Sequence, residues 1–361
     1  MANSSLLINL SMLMQRPTGI STYALNVVPH LAALSPTLLT AQPDRFPSFS
    51  CQAIPANLTP EQGSIGHARR LAWTQTELPR LARQQQASLV FSPIPEMPLW
   101  RGCRTVVMVH DFIPLRFPSW RSPLTQYFRW IVPQVLHQAV HILCNSQSTA
   151  DDVIRFGGVP AAKVTPIPLA YDAAHFRPLG LPRQNYFLYI GRQDPYKGLD
   201  QLISAFAQLP RQAADCELWI AGSADPRFTP QLQAQAHELG VAARVKFLGY
   251  VPYGELPRLL NGAIAFVFPS QWEGFGLPVL EAMACGTPVI TTAAGAIPEV
   301  TGEAALRVEQ NSPKALCDAM RALVGDPVQT HQLRNLSLAQ AQQFSWARTG
   351  QATLSNLSAR L

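Results

Sequence analysis

The chain has 361 residues, of which 47% are hydrophobic and 14% charged. At roughly 100–200 residues per domain this length suits two domains or one large barrel, and the apolar content excludes a disordered chain. The net charge of +6 is uneven: residues 1–180 hold 14 basic and 8 acidic side chains and residues 181–361 hold 14 of each, so the whole excess lies in the first half and points to an anionic partner there.

The opening stretch MANSSLLINLSMLMQRP has no basic residue ahead of its apolar run and no small-residue cleavage site, which predicts a first strand over Ser5–Leu10 and not a signal peptide. Helical spacing follows over Ile20–Leu31 and His67–Gln86, then a strand at Leu89–Ser92. Thr105–Val109 is a β-type run ending at His110 and Asp111. A helical stretch near Leu124–Ala139 leads into a strand at His141–Cys144, and Asn145-Ser146 is a natural helix cap. The Pro-rich stretch Phe176–Gln184 carries neither pattern and predicts a linker. Beyond it, strands at Tyr186–Ile190, Glu217–Ala221, Val245–Leu248, Ile264–Phe268 and Val289–Thr292 are joined or followed by helices at Leu199–Leu209, Pro230–Leu239, Leu256–Leu260, Leu277–Ala284 and Pro313–Val324.

Near-continuous apolar strands alternating with helices predict an α/β protein with parallel sheets covered on both faces, as two Rossmann-like doubly wound domains facing across a cleft. Ligands of such sheets gather at the carboxyl ends of the strands. No run of 18 apolar residues occurs, so no membrane span is expected. The six Cys are scattered without a CxxC spacing, which predicts free thiols in a reducing cytosol.

After Tyr186–Ile190 comes Gly191-Arg192-Gln193-Asp194-Pro195-Tyr196-Lys197-Gly198 and then a helix. Two cations five residues apart in a strand-to-helix turn suit a diphosphate, with backbone N–H groups and the helix dipole adding to the field; the alternative is a surface turn with two solvated cations. After Ile264–Phe268 comes PSQWEGFGLPVLE. Pro278 suits the first turn of a helix, which places Glu281 in that first turn, with Glu273 about two turns upstream. Carboxylates accept from hydroxyls and bare amides donate to oxyanions, so this loop suits a ligand with both. The competing reading is one capping and one solvated Glu.

The Glu-x7-Glu spacing of EGFGLPVLE resembles the signature of family 4 of the retaining glycosyltransferases, which have the GT-B fold. TGISTYALNVVPHL, VHDFIPLRFP, CNSQSTADDV, YIGRQDPYKGLDQLISAF, AGAIPEV and FSWARTG resemble other landmarks of that family in chain order, from about residue 5 to 350, and VHDFIPLRFP is similar to its mannosyl- and rhamnosyltransferase-like members. The resemblance implies an acceptor-binding domain over 1–177, a nucleotide-sugar donor domain over 184–340, and a C-terminal helix over 341–361 packing back toward the first. Arg192 and Lys197 should grip the donor diphosphate and Glu281 should accept from the ribose hydroxyls. Glu273 should contact the donor sugar, with Phe275, Gly276 and Leu277 offering backbone N–H groups. Gly19 should let the first loop approach the phosphate, His110 should meet the transferred sugar near its anomeric carbon, and the base should lie near Gly249–Val251. His110, Glu273, Arg192 and Lys197 are the implied catalytic set; Gly249 and Val251 join the donor-binding set.

Two positions depart from the family pattern. Ser21 stands where a second Gly is usual, and Ala170 stands where a Gly is usual in Pro168-Leu169-Ala170-Tyr171-Asp172, which predicts an altered turn.

No DxD, GxGxxG, HExxH or GxSxG occurs, which removes support for metal-dependent transferase, dehydrogenase, zinc-protease and lipase readings. A basic stretch at His67–Trp73 with Arg80 and Arg83, and an aromatic-basic one (Trp120, Arg121, Tyr127, Phe128, Arg129, Trp130), each suit an anionic membrane face or a polymeric acceptor, or else are ordinary amphipathic helices. The expected activity is hexose transfer, with mannose from GDP-mannose favoured and UDP-glucose or dTDP-rhamnose open. It needs no cofactor and no metal, and its acceptor is a glycan or lipid-linked molecule in cell-surface polysaccharide or glycolipid synthesis. The enzyme would be cytoplasmic or peripheral at the inner membrane face, without nucleic acid as a partner. The alternatives are a nucleotide-sugar epimerase or hydrolase on the same fold, or an inactive scaffold subunit.

Overall fold

The computed structural model describes residues 5–15, 18–100, 102–210, 213 and 215–361. The chain forms two compact units, one of Met1–Leu169 with Trp346–Leu361, the other of Ala170–Ser345.

The first unit holds a seven-stranded, all-parallel sheet. Its elements in chain order are β1 (Ser5–Asn9), α1 (Gly19–Val27), β2 (Thr37–Thr40), β3 (Ser50–Ala53), α2 (Gly63–Gln84), β4 (Ala87–Ser92), β5 (Thr105–Val109), α3 (Ile113–Arg116), α4 (Pro123–Trp130), α5 (Val132–Gln138), β6 (His141–Cys144), α6 (Gln147–Gly157) and β7 (Val164–Pro166). The strand order β3-β2-β1-β4-β5-β6-β7 puts β1, β4 and β5 at the centre. They are central because they are apolar on both faces: every residue of β5, TVVMV, is buried.

The second unit holds a six-stranded parallel sheet of order β10-β9-β8-β11-β12-β13. It is built from β8 (Tyr186–Ile190), α7 (Leu199–Ala207), β9 (Glu217–Ala221), α8 (Thr229–Glu238), β10 (Val245–Gly249), α9 (Leu256–Gly262), β11 (Ala265–Phe268), α10 (Leu277–Ala284), β12 (Val289–Thr292), α11 (Ile297–Thr301), β13 (Leu306–Val308), α12 (Pro313–Gly325) and α13 (Pro327–Ala341). The last helix, α14 (Trp346–Ser358), lies against the first unit, where Thr349 Oγ1 donates to the Pro168 carbonyl at 2.7 Å.

Three expectations change. The helix expected over Leu124–Ala139 is two helices, because Pro133 in the first turn of α5 has no N–H to return and its ring would strike the preceding turn, so the ladder breaks at Ile131. Pro29 likewise ends α1 at Val27, and a 3₁₀ turn over Val28–Leu34 continues from it. The expected linker at Phe176–Gln184 is part of the second unit: Phe176 is buried, Asn261 accepts from the Leu179 N–H at 2.7 Å and donates to the Arg177 carbonyl at 3.0 Å, and the Gln184 N–H donates to Gly262 at 2.8 Å. The division falls instead between Leu169 and Ala170. Ala170 is fully buried and is not among the described residues with positive φ, so the turn there is an ordinary one.

The seat of α14 is close enough to test. A Cβ on Gly350 would lie 2.4 Å from both Cβ and Cγ of His30. Gly350→Ala should therefore destabilise the first unit by about 1–3 kcal/mol, the usual cost of overpacking, read as a lower urea midpoint; an unchanged midpoint would show that α14 docks loosely.

Candidate active site

The second unit brings its sequence-predicted residues to one edge of its sheet, at the carboxyl ends of the strands. This edge is built on backbone approaches that only glycine permits. Gly222, after β9, has φ +140°, and a Cβ there would lie 2.0 Å from the Gly191 carbonyl oxygen after β8. The Gly222 N–H donates to Gly249 at the end of β10, itself at φ +68°.

The turn after β8 carries the two cations. Tyr189 OH donates to the Arg192 carbonyl at 2.6 Å from beneath the turn, and a 3₁₀ turn over Pro195–Lys197 closes at Gly198, φ +70°. A Cβ on Gly198 would lie 2.5 Å from the Pro269 carbonyl oxygen, so this turn is pressed against the end of β11. Lys197 is only 8% exposed, and its Nζ lies 2.6 Å from Oε1 of Glu273, also 8% exposed. The ammonium also lies over the Phe268 ring, 5.3 Å from its centroid. Arg192 contrasts with it: its side chain is 71% exposed, lies 3.2 Å from Asp194 Oδ2 and donates to Tyr196 OH at 2.7 Å. One cation is thus fixed and buried, and the other is presented to solvent from the same turn.

The loop after β11 is held from behind. The Glu273 carbonyl accepts from the Ala296 N–H at 3.0 Å, and Gly295, φ +58°, lies so close that a Cβ would stand 2.2 Å from that carbonyl oxygen. Phe275 is buried edge-on against Phe344, with ring centroids 6.0 Å apart. Gly276, φ +98°, is the N-cap of α10: the Val279 N–H donates to its carbonyl at 3.0 Å, Pro278 has no N–H, and the Leu277 N–H has no intrahelical acceptor.

α10 has the predicted bounds, but Glu281 lies in its second turn and not in the first as expected, because it is the fifth helical residue counted from Leu277. Its carboxylate has no ion pair or hydrogen bond among the described residues, and burial pushes it up to about 8. Val251 follows β10 half-buried.

Gly19 and His110 belong to the first unit. Gly19 begins α1 and is exposed, and Ser21 Oγ accepts from the Met14 N–H at 3.2 Å, so the hydroxyl at the usual glycine position holds the first loop. His110 directly follows β5, with Nε2 3.0 Å from the Pro93 carbonyl oxygen and its ring edge-on to Tyr23 at 5.2 Å. Burial pushes its pKa down to about 4, against that hydrogen bond, so the ring is neutral at pH 7. A carbonyl can only accept, so the single ring proton sits on Nε2 and Nδ1 is an acceptor. Asp111 Oδ1 accepts from the Ile113 N–H at 3.1 Å, a local turn contact.

Residues 17–175 match the sequence pattern of Glycosyltransferase Family 4 and residues 172–338 that of Glycosyl transferases group 1. The O-antigen chain mannosyltransferase B of Escherichia coli is 30% identical over 298 residues, covering 78% of this chain and 74% of that one. The chain belongs to glycosyltransferase family 4. The MMP alpha-(1->4)-mannosyltransferase of Mycolicibacterium hassiacum is 32% identical over 246 residues, 65% of this chain and 58% of that protein. HepE from Anabaena, solved in complex with UDP and glucose, superposes with a TM-score of 0.78 at 20% identity, covering 99% of this chain and 100% of that one. Sucrose-phosphate synthase from Thermosynechococcus elongatus gives a TM-score of 0.76 at 21% identity over 99% of this chain and 98% of that one. These two likenesses show the GT-B fold.

Sequence reasoning missed three side chains in the second unit. Tyr253 stacks on His175 with centroids 4.2 Å apart, and His175 Nε2 lies 2.8 Å from the Tyr253 carbonyl oxygen. Burial pushes the Tyr253 phenol up, and the Glu281 carboxylate adds to that push. Tyr250, beside Gly249, is exposed. The signal was the pair of tyrosines in GYVPYGE directly after a strand.

The lone carboxyl makes stability depend on pH. Because its folded pKa is raised, the folded chain holds a proton that the unfolded chain releases above about 4.3, so stability falls as pH rises from there to about 8. Glu281→Gln should remove that slope in the ligand-free protein, so its melting temperature should gain on wild type between pH 5 and 8; parallel curves would place Glu281 in a solvated, ordinary environment.

Proposed function

We propose that this chain transfers a hexose, with retention of anomeric configuration and without a metal ion, from a nucleotide-diphosphate sugar to a glycan or lipid-linked acceptor in cell-surface polysaccharide or glycolipid synthesis. GDP-mannose is the donor favoured, supported by the two mannosyltransferase relatives. The observation that carries the reading is the Lys197–Glu273 pair joining two loops at the carboxyl edge of one sheet, with Arg192 presented beside it.

An ammonium has three donors, and Glu273 engages one of them, so Lys197 keeps N–H groups for phosphate oxygens while Arg192 adds a second positive charge. Neutralising the departing diphosphate is the largest electrostatic contribution the site offers, and it replaces a metal ion in that role. The bond from the anomeric carbon to the diphosphate oxygen breaks, the bond to the acceptor oxygen forms on the same face, and the acceptor proton passes to the departing phosphate oxygen. Glu273 accepts from donor-sugar hydroxyls and Glu281 from the ribose. Phe275, Gly276 and Leu277 donate backbone N–H groups, the base lies near Gly249 and Val251, and Gly19 brings the first loop to the phosphate. Neutral His110 offers Nδ1 to a hydroxyl of the transferred sugar. The first unit takes the acceptor, the protein works in the cytoplasm at the inner membrane face, and nucleic acid is not a partner. Among the described residues no helix is long and apolar enough to cross a membrane.

Lys197→Ala and Glu273→Gln should each lower transfer by about two orders of magnitude or more, on the scale of removing one oriented electrostatic group. Transfer by both variants within about twofold of wild type would overturn the site assignment.

A melting-temperature panel of GDP, UDP, ADP and dTDP sugars in EDTA tests the donor. The cognate donor at about 100 times its Kd should stabilise by about 2.7 kcal/mol, with GDP-mannose giving the largest shift. A flat response to every nucleotide would favour an inactive scaffold. Release of free nucleotide at full rate without acceptor would favour a hydrolase.

A further inference from the structure

The sequence offers two candidate surfaces for an anionic partner in the first unit, and the structure separates them. In α2, Arg70 is buried and donates through Nε and Nη2 to both oxygens of Glu96 at 2.9 Å, while Arg80 pairs with Glu77 at 2.6 Å. Much of that helix's charge is committed internally. The segment around α4 is arranged differently. Tyr127 is buried and Phe128 packs on the same core, but Trp120 is 71% and Trp130 64% exposed, with Leu124 and Phe117 also exposed.

These groups form one continuous face. Trp130 Nε1 donates to Gln126 Oε1 at 3.2 Å, Gln126 Nε2 donates to the Trp120 carbonyl at 3.0 Å, and the Arg129 guanidinium lies 4.1 Å from the Trp120 ring centroid. The indole of Trp120 is therefore held at the surface by its own neighbours. Arg121 is exposed beside it, and the sequence from Phe117 to Ala150 contains no Asp or Glu. Exposed Trp costs hydrophobic free energy in water, whereas an indole with its polar N–H suits the boundary between headgroups and acyl chains. Two arginines with no ion pair among the described residues add attraction to a negative surface.

We infer that the Trp120–Arg121–Arg129–Trp130 face of α4 and its preceding loop is a docking surface for an anionic lipid bilayer, with the two indoles entering the headgroup boundary and the two guanidiniums meeting lipid phosphates. The inference names the surface by which the proposed membrane-borne acceptor is reached and rests on that reading for its purpose. The test contains no sugar nucleotide, so its failure and a failure of the transfer reaction are separately visible.

Flotation of the full chain with phosphatidylcholine vesicles, and with mixed phosphatidylcholine–phosphatidylglycerol vesicles, measures the binding. The chain should float with the mixed vesicles and not with the neutral ones. Binding should fall as salt rises from about 0.1 M to about 1 M, where the screening length drops from about 10 Å to about 3 Å. W120A/W130A should weaken binding by about tenfold or more, as loss of two buried anchors requires, and R121Q/R129Q should weaken it and flatten the salt dependence. Both variants should keep the wild-type melting temperature and nucleotide shift, since the changed side chains lie outside the donor site. Vesicle binding by W120A/W130A equal to wild type, equal binding to neutral vesicles, or binding indifferent to salt would overturn the inference. So would a vesicle-free wild-type oligomer that W120A/W130A dissolves, which would make the face a contact between copies of this chain.

Discussion

The second unit depends on one buried ion pair, Lys197 with Glu273 at 2.6 Å. Bringing two charges out of water costs several kcal/mol per ion, and apolar residues of similar volume often fill such a place at no loss of stability. A pair kept in that setting, where two loops meet after adjacent strands β8 and β11, is better explained by the field it creates than by the stability it confers. Its geometry is set from behind by backbone. Gly198 lets the cationic turn press on Pro269, and Gly295 lets the next turn press on Glu273. Each of these approaches excludes a Cβ, so the position of each charge is fixed by glycines that carry no charge themselves.

Two titratable groups, Glu281 in the second unit and His110 in the first, are shifted in opposite senses. Burial raises the carboxyl of Glu281 to about 8 and lowers the imidazole of His110 to about 4, so each is held near neutral at pH 7. A neutral His with its proton on Nε2 and a carboxyl with no partner among the described residues are both groups suited to hydroxyls. The paired ammonium and the exposed Arg192 are suited to oxyanions. The second unit alone thus carries both kinds of group, since Glu281 suits hydroxyls and Lys197 and Arg192 suit oxyanions.

Much of this was legible in the sequence, and the reasons for the rest are local. β5, β6, β8, β9 and β12 have the bounds that their apolar runs indicate, because a strand covered on both faces must be apolar throughout. β2, β3, β7 and β13 were not foreseen: they are three or four residues long, and β3, β7 and β13 close the edges of their sheets, where exposure relaxes the demand for apolar residues. Arg192, Lys197 and Glu273 could be picked out because glycines flank charges directly after strands. His175 could not, since a stack between residues 78 apart leaves no spacing to read, whereas Tyr253 is marked by the tyrosine pair after β10. Glu281 was placed a turn early although the bounds of α10 were read correctly, since with 3.6 residues per turn the fifth residue from Leu277 already falls in the second turn.

The uneven charge of the first half gains a physical meaning from the same kind of accounting. Arg70 and Arg80 are committed to Glu96 and Glu77, and Arg116 to Asp152, so these cations serve the fold and contribute little to any distant field. What a partner would meet is determined by where acids are missing, and the acid-free stretch between Asp111 and Asp151 runs through the exposed indoles of α4. In the neutral second half Arg227, Lys246, Arg307 and Arg321 are likewise paired, with Asp225, Glu217, Glu303 and Asp318, whereas Arg192 and Lys197 share one turn after β8. Net charge per half is therefore a poor guide to binding taken alone. It becomes informative once the structure shows which arginines already have a carboxylate and which lie beside a tryptophan.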